Sequence, residues 1–274
     1  MPGTLHVVAT PIGNLADLSP RAVEVLKAAA TIACEDTRTS QVLLSRHGIR
    51  GRLVALHEHN EREASAALVE ALREGASIAL VSDAGTPGMS DPGARFVEAA
   101  HAAGVTVVAV PGPNAAAAAW SAAGFLSDRF LFAGFLPSSA AARRKAIASL
   151  DPEVPVILYE APHRVRETVA DLADRFGAAR EIVVARELTK KFEEIARMPL
   201  GAAPAWIDAD PHRQQGEFVL VLGPGAPAGG DADGERVLGI LLESLPASEA
   251  ARLAARITGA SKNALYRLAL AARK

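Results

Sequence analysis

The sequence predicts an α/β protein: two α/β domains with a cleft between them, plus a small helical C-terminal tail. Three observations carry this. Short β-rich runs alternate with helical patterns through the first half, the order of a mostly parallel sheet with helices on both faces. The second half keeps the alternation but brings two strand-like runs together around residues 186–196, which implies antiparallel pairing and a mixed sheet. After a Gly-, Pro- and Ala-rich stretch at 223–234, read as a linker, only helical patterns follow. The divisions expected are residues 1–112, 113–225 and 226–274.

The elements follow in order. Residues 5–9 form a strand. Ser19-Pro20 supplies an N-cap and an N1 proline for a helix to Ala30. A strand at 31–34, a helix at 39–47 closed by Gly48, a strand at 53–56 and a helix at 61–74 closed by Gly75 come next. A strand at 78–82, a helix at 94–103 and a strand at 105–110 complete the first set. Pro111-Gly112-Pro113-Asn114 then interrupts the chain, and 115–123 reads as an alanine-rich helix. Strands are expected at 130–133, 156–159, 182–185, 192–196 and 217–222, with helices at 140–150 and 165–176. In the tail, one helix starts at Ser248-Glu249 and ends at Gly259, and Ser261 caps another. Their turn suits a helix-turn-helix.

Composition narrows the function classes. The chain has 274 residues, 50% hydrophobic and 22% charged, with a formal net charge of -2. That balance excludes a protein that coats nucleic acid by overall charge, but leaves room for a local basic face. The one cysteine, Cys34, has no partner for a disulfide, packs at a strand end and fits a reducing compartment. No signal peptide is evident. The uncharged stretch 102–127 is cut by Pro111-Gly112-Pro113-Asn114, unlike a spanning helix, so a cytoplasmic location without membrane association is expected.

Chemistry concentrates in loops that follow strands. Ser82-Asp83-Ala84-Gly85-Thr86-Pro87-Gly88-Met89-Ser90-Asp91-Pro92-Gly93 empties a buried strand into glycines and prolines, which let a backbone approach a ligand closely and hold it there. Asp83 and Asp91 offer acceptors for hydroxyls or an ammonium. Asn14, Glu35-Asp36-Thr37-Arg38, His57-Glu58-His59-Asn60 and Pro111 to Asn114 also follow strands. All five loops are therefore expected at the carboxyl edge of one sheet, where open α/β sheets bind ligands. His57 and His59 lack a third ligand at sensible spacing, so no metal is expected. No G-x-x-x-x-G-K-[ST] or G-x-S-x-G occurs. Gly223 to Ala228 mimics a dinucleotide fingerprint but offers no helix N-terminus. Basic residues cluster later, at Arg143 to Lys145, His163-Arg164, Arg186 and Lys190-Lys191. From Ala247 onward six cations stand against Glu249, a net +5. Such a tail suggests an anionic macromolecular partner, or else a packing helix pair.

Thr10-Pro11-Ile12-Gly13-Asn14-Leu15, Glu35 to Arg38, His57 to Glu61, Ser82 to Pro87, Pro111 to Pro113, Gly134-Phe135-Leu136-Pro137, Arg186-Glu187-Leu188-Thr189-Lys190 and Lys262-Asn263-Ala264-Leu265-Tyr266 together resemble the tetrapyrrole methylase (class III) group. The resemblance is to its branch acting on small-subunit ribosomal RNA, and covers nearly the whole chain in order. It implies S-adenosylmethionine in the interdomain cleft, a homodimer, and 2′-O-methylation of a cytidine ribose in the decoding region of 16S rRNA, free or in the assembled 30S subunit. The cofactor contacts it implies are Pro11, Ile12, Gly13, Asp83, Ala84, Gly85, Thr86, Pro87, Ser121, Ala122, Phe132, Tyr159, Arg186, Gly216 and Glu217; no contact is assigned to Gly88-Met89-Ser90. A ribose hydroxyl is a weak acid, so a group must take its proton. Asp36, Glu187 and Lys190 are the candidates, and the residues leave the choice open. Arg38, Arg164, Lys190 and Lys262 are the expected RNA contacts. Two other readings stand beside this one: a methyltransferase for a corrin precursor, and a non-catalytic ribosome-associated binding protein.

Overall fold

The computed structural model describes residues 2–57, 59–225 and 231–271. The first half forms β1 (Thr4–Val8), α1 (Pro20–Ala28), β2 (Thr31–Cys34), α2 (Thr37–Arg46), β3 (Arg52–Ala55), α3 (Glu61–Arg73), β4 (Ile78–Leu80), α4 (Ala94–Ala102) and β5 (Thr106–Val110). Its five strands pair all-parallel in the order β3-β2-β4-β1-β5. Parallel strands need crossover helices, and those helices bury both faces of the sheet. Leu26, Ile32 and Leu44 pack among the core side chains of one cluster; Leu5, Leu72, Ile78 and Phe96 pack in another. Since every strand runs the same way, the five polar loops do gather at one carboxyl edge.

The second half begins with α5 (Ala115–Ala123) and continues as β6 (Leu131–Phe135), α6 (Ala140–Ala148), β7 (Val156–Glu160), α7 (Val165–Phe176), β8 (Glu181–Arg186), β9 (Glu194–Pro199), α8 (Ala203–Asp208) and β10 (Phe218–Leu222). The sheet order is β6-β7-β10-β8-β9; β6 runs parallel to β7, and the other pairs are antiparallel. The mixed sheet thus forms as expected. Helices α6, α7 and α8 cover one face, while α5 packs on the other against β7 and β10.

Three differences from the sequence reading have local causes. The stretch read as linker to 234 already turns helical at Asp231, where α9 (Asp231–Leu242) begins; Gly234 lies close to Ala260 and Leu265, so a small residue is needed inside that helix. Residues 226–230 of that stretch lie outside the described residues. Strand β9 starts at Glu194 rather than Phe192, because backbone bonds from Lys190 N to Glu187 O and from Glu193 N to Lys190 O fold 187–193 into a tight loop. Helix α2 starts at Thr37, because the Asp36 side chain accepts from Arg38 N.

Helix α9, α10 (Ala247–Thr258) and α11 (Lys262–Ala271) bury their own core around Leu238, Ala250, Ala254 and Leu265.

Candidate active site and its rim

The carboxyl edge of the first sheet is stitched into a cradle. Thr10 and Gly85 form an antiparallel bridge, and the Thr10 hydroxyl donates to Ser82 O at 3.0 Å. Thr86 Oγ1 donates to Pro113 O at 3.1 Å. Asp36 N donates to Asp83 Oδ1 at 3.0 Å. Gly85 has φ +87°, a conformation that only glycine adopts cheaply.

The far end of the 82–93 loop is held by a residue remote in sequence. Helix α4 has no side-chain cap of its own. Instead Glu61, at the start of α3 and nearly buried, accepts from Gly93 N at 2.8 Å and Arg95 N at 3.1 Å. This explains the final glutamate of the His57-to-Glu61 motif. Asn60 secures the same motif, accepting from His57 N and donating to Ala55 O. Among the described residues, no group of three or more His, Cys, Asp or Glu is placed to hold a metal; Glu58 lies outside them.

Between this cradle and the second sheet lies a cavity of about 370 Å³, within the ~300–1,000 Å³ common for small-molecule sites. Ile12, Ala84, Gly85 and Thr86 line it from the first sheet, and Phe135, Tyr159 and Glu217 from the second. Tyr159 anchors the aromatic wall: its hydroxyl accepts from Ala116 N at 3.3 Å, and Phe132 and Phe135 meet its ring edge-on at 5.0 and 5.6 Å.

Six of the fifteen expected cofactor contacts, Ile12, Ala84, Gly85, Thr86, Tyr159 and Glu217, therefore line the cavity. Phe132 supports it from behind. Pro11 and Asp83 line a neighbouring depression near α2, and Gly13 lines the groove described below. Pro87 is buried, and Gly216 abuts Glu187. Ser121 and Ala122 are exposed on α5, and the Ser121 hydroxyl donates back to Ala118 O; neither lines the cavity. Arg186 is buried and spent on the carbonyls of Gln215 and Phe192.

Among the lining residues to which the sequence assigned no contact are Met89, Ser90, Asn114 and Glu160. Met89 and Ser90 thus lie in the lining although no contact was assigned to Gly88-Met89-Ser90. Ser90 sits at φ +68°, a strained value for a non-glycine residue. Asn114 caps α5 and approaches Met89. Glu160 is buried, accepting from Thr168 and Ala161 N and pairing with Arg164.

Asp91 also lines the cavity. Burial, then the nearby Glu35 and Asp83 carboxylates, push its pKa up to about 6, against a weaker opposing hydrogen bond from Ser82. The three proton-acceptor candidates lie outside the cavity and are differently disposed. Hydrogen bonds from Arg38 hold Asp36 down at about 2. Burial raises the Glu187 pKa, but bonds from Lys190 and Glu217 N outweigh it, and the net shift is downward. Burial likewise opposes the charge on Lys190, yet Glu187 at 2.8 Å and Glu217 at 3.2 Å hold it protonated.

Arg164 is bound internally. Its guanidinium donates to Leu136 O at 2.6 Å and Pro137 O at 3.2 Å and pairs with Glu160, so it is consumed inside the protein. Arg38 is exposed but paired with Asp36 at 2.7 Å. Lys262 is exposed at the start of α11.

Comparison with known proteins follows the same lines. The tetrapyrrole (corrin/porphyrin) methylase family matches residues 4–204, and the RsmI C-terminal HTH domain matches 228–273. The ribosomal RNA small subunit methyltransferase I of Pseudomonas aeruginosa is 52% identical over 273 residues, covering 98% of this chain and 97% of that one. The protein of the same name from Escherichia coli O157:H7 is 47% identical over 271 residues, covering 98% and 95%. Among solved structures, the methyltransferase CobJ aligns with a TM-score of 0.60 at 21% identity over 82% of this chain and 95% of that one. Diphthine synthase aligns with a TM-score of 0.60 at 17% identity over 81% and 90%; at such identities the likeness shows the fold alone. With its two sheets, its cavity and its tail accounted for together, the chain belongs to the tetrapyrrole methylase family and, within it, to the ribosomal RNA small subunit methyltransferase I group.

Proposed function

We propose that the cavity between the sheets holds S-adenosylmethionine and that RNA enters along the rim formed by the β8–β9 loop. The chain is an S-adenosylmethionine-dependent 2′-O-methyltransferase of a 16S rRNA cytidine. One observation supports the placement above others: the cavity sits at the carboxyl edge of a parallel sheet and is closed by aromatic residues of a second sheet. Its residues suit the cofactor. Ile12, Phe135 and Tyr159 offer apolar walls for a purine, Gly85 allows close backbone approach, and Asp91 and Glu217 offer acceptors for hydroxyl or ammonium groups. When bound, the cofactor supplies an electrophilic methyl group. The protein's own work is to orient the acceptor, exclude water and take up a proton.

Asp91 is the group in the cavity whose proton affinity suits acceptance near neutral pH. Glu187 and Lys190 are read as one ion-paired unit, with Glu217 as a second acceptor, that fixes the loop at the cavity mouth. Lys190 and Lys262 remain the proposed phosphate contacts from the sequence reading. A homodimer and a cytoplasmic location belong to the same reading. The exposed Leu126, Phe130 and Leu131 beside edge strand β6 support the first; among the described residues no helix is long and apolar enough to cross a membrane.

The test is methyl transfer from labelled S-adenosylmethionine to small ribosomal subunits lacking the modification, mapped by mass spectrometry. A single new 2′-O-methylcytidine in the decoding region is expected. Transfer to a corrin precursor instead, or cofactor binding with no transfer to RNA, sinks the reading.

A further inference from the structure

Beside the cavity runs a wider groove of about 970 Å³, with Gly13 to Ala16 on its floor, Arg46 and His47 on one side and Thr189, Lys190 and Lys191 on the other. Three of its nine lining residues are Lys or Arg and none is Asp or Glu. Lys190 is neutralised by Glu187 and Glu217, but Arg46 and Lys191 are exposed and make no ion pair among the described residues. Two polar atoms of the lining, His47 Nε2 and Thr189 Oγ1, are shielded from solvent and make no hydrogen bond.

The loop that supplies Lys191 is built to stay in place. Glu187 and Thr189 both adopt positive φ, +53° and +66°. Such strain persists only where surrounding contacts enforce it. Here Thr189 N donates to the Glu193 carboxylate, and the buried Arg186 guanidinium grips both Phe192 O and Gln215 O. Gly13 leaves room for the Lys190 stem to cross it: a Cβ there would lie 2.4 Å from Lys190 Cγ. The effect is a rigid tip that carries Lys191 and, next to it, Phe192, whose surface is 64% exposed. This ring stands on a strained loop with an ammonium 5.4 Å from its centroid and joins none of the hydrophobic clusters of the described residues. It has the chemistry of a site for single-stranded nucleic acid, where aromatic faces stack bases and cations hold the intervening phosphates.

The geometry points to the 187–193 loop and the α2 end as a clamp on unpaired RNA: Lys191 and Arg46 hold phosphates across the groove, and Phe192 stacks on a base flanking the target nucleotide. This rests on the functional reading above and adds to it the residues that grip the strand.

The experiment compares Arg46→Ala, Lys191→Ala, Phe192→Ala and Phe192→Trp with the full-length protein, measuring both binding to unmodified small subunits and methyl transfer at 50–200 mM salt. Each alanine variant is expected to raise the KM for subunits about fivefold or more while leaving the KM for S-adenosylmethionine unchanged. Arg46→Ala and Lys191→Ala should each reduce the salt slope by about 0.7–0.9. Phe192→Ala should leave that slope alone, because stacking releases no counterions, and Phe192→Trp should restore affinity. Wild-type KM in Phe192→Ala overturns the clamp, as does a change in its mass in solution, which would make Phe192 a contact between two copies of the chain. A wild type that binds subunits but transfers no methyl group refutes the functional reading, while the binding measurements still decide the clamp. A wild type that does not bind refutes both.

Discussion

The cavity and the groove meet at the Ile12–Gly13 turn, yet they treat charge in opposite ways. At the cavity, carboxylates crowd one another: Asp91 lies in the lining and feels the nearby Glu35 and Asp83, and burial with this repulsion raises its proton affinity to a pKa of about 6. In the groove, Arg46 and Lys191 make no ion pair among the described residues, and no acid stands in the lining. The first arrangement suits a small ligand that brings cationic or hydroxyl groups; the second suits a polyanion. The difference teaches that charge type matters less than whether a charge already has a partner inside the protein. Arg164 and Arg186 sit near the same cleft and are both used up by internal carbonyls, whereas Arg46 and Lys191 are not.

The largest expected effect comes from loosening the cavity wall. Glu61→Ala leaves Gly93 N and Arg95 N without their shared acceptor, a loss of about 2–3 kcal/mol for a nearly buried carboxylate. Thermal unfolding should show that loss. Calorimetry should show S-adenosylmethionine binding weakened about tenfold, or about 1.4 kcal/mol, as the 82–93 loop relaxes. Glu61→Gln, which keeps an acceptor oxygen, should recover most of both. Unchanged cofactor affinity in Glu61→Ala would separate that loop from the cavity's function.

Arg164→Ala is the control for internal pairing. It removes the donor to Leu136 O and Pro137 O and leaves Glu160 without its cation, a destabilisation of about 2 kcal/mol. Its salt slope for subunit binding should match wild type. A slope reduced by a full phosphate contact would mean that Arg164 abandons its internal partners on binding RNA.

Asp91→Asn should separate stability from function. The carboxyl pKa is raised from 3.8 to about 6. Between those values the native state keeps a proton that the unfolded chain has lost, so stability falls as pH rises through that window, and the cost is complete above it. The amide removes this cost. Asp91→Asn should therefore melt higher than wild type at pH 7.5, show a flatter profile between pH 4 and 6, and lose methyl transfer. A lower melting temperature at pH 7.5 would show that Asp91 is stabilised as an anion.

Much of this contrast was legible in the sequence. The parallel first sheet and its five converging loops followed from strand–helix alternation, and Ala84-Gly85-Thr86 was marked by its own composition. Pairing was not legible. Glu61 reaches across 32 positions to Gly93, and no local pattern distinguishes it from the other acidic residue in the first turn of α3, Glu63. Ser121 and Ala122 lie on α5 near the cleft, but helical rotation leaves them in solvent. The same blindness affected the arginines: Arg38 and Arg164 carry the right charge for RNA, while their commitments depend on folded neighbours.

Arg38 gives the smallest effect and the finest test of the pairing rule. Its side chain is 90% exposed, yet it forms three hydrogen bonds to the Asp36 carboxylate, which in turn caps α2 through Arg38 N. The pair is electrically neutral at pH 7, so contacting a phosphate would require breaking it. In Arg38→Ala the backbone cap survives and the melting temperature at neutral pH should barely move. The pair's contribution is present above the unfolded carboxyl pKa of 3.8 and is lost as pH falls through about 2; the variant's stability profile should lose part of its slope in that acid window. Its salt slope for subunit binding should stay near wild type, in contrast to Lys191→Ala. A slope that falls as far as it does for Lys191→Ala would mean that RNA draws Arg38 away from Asp36, and an internal ion pair on an exposed loop would then be no bar to recognition.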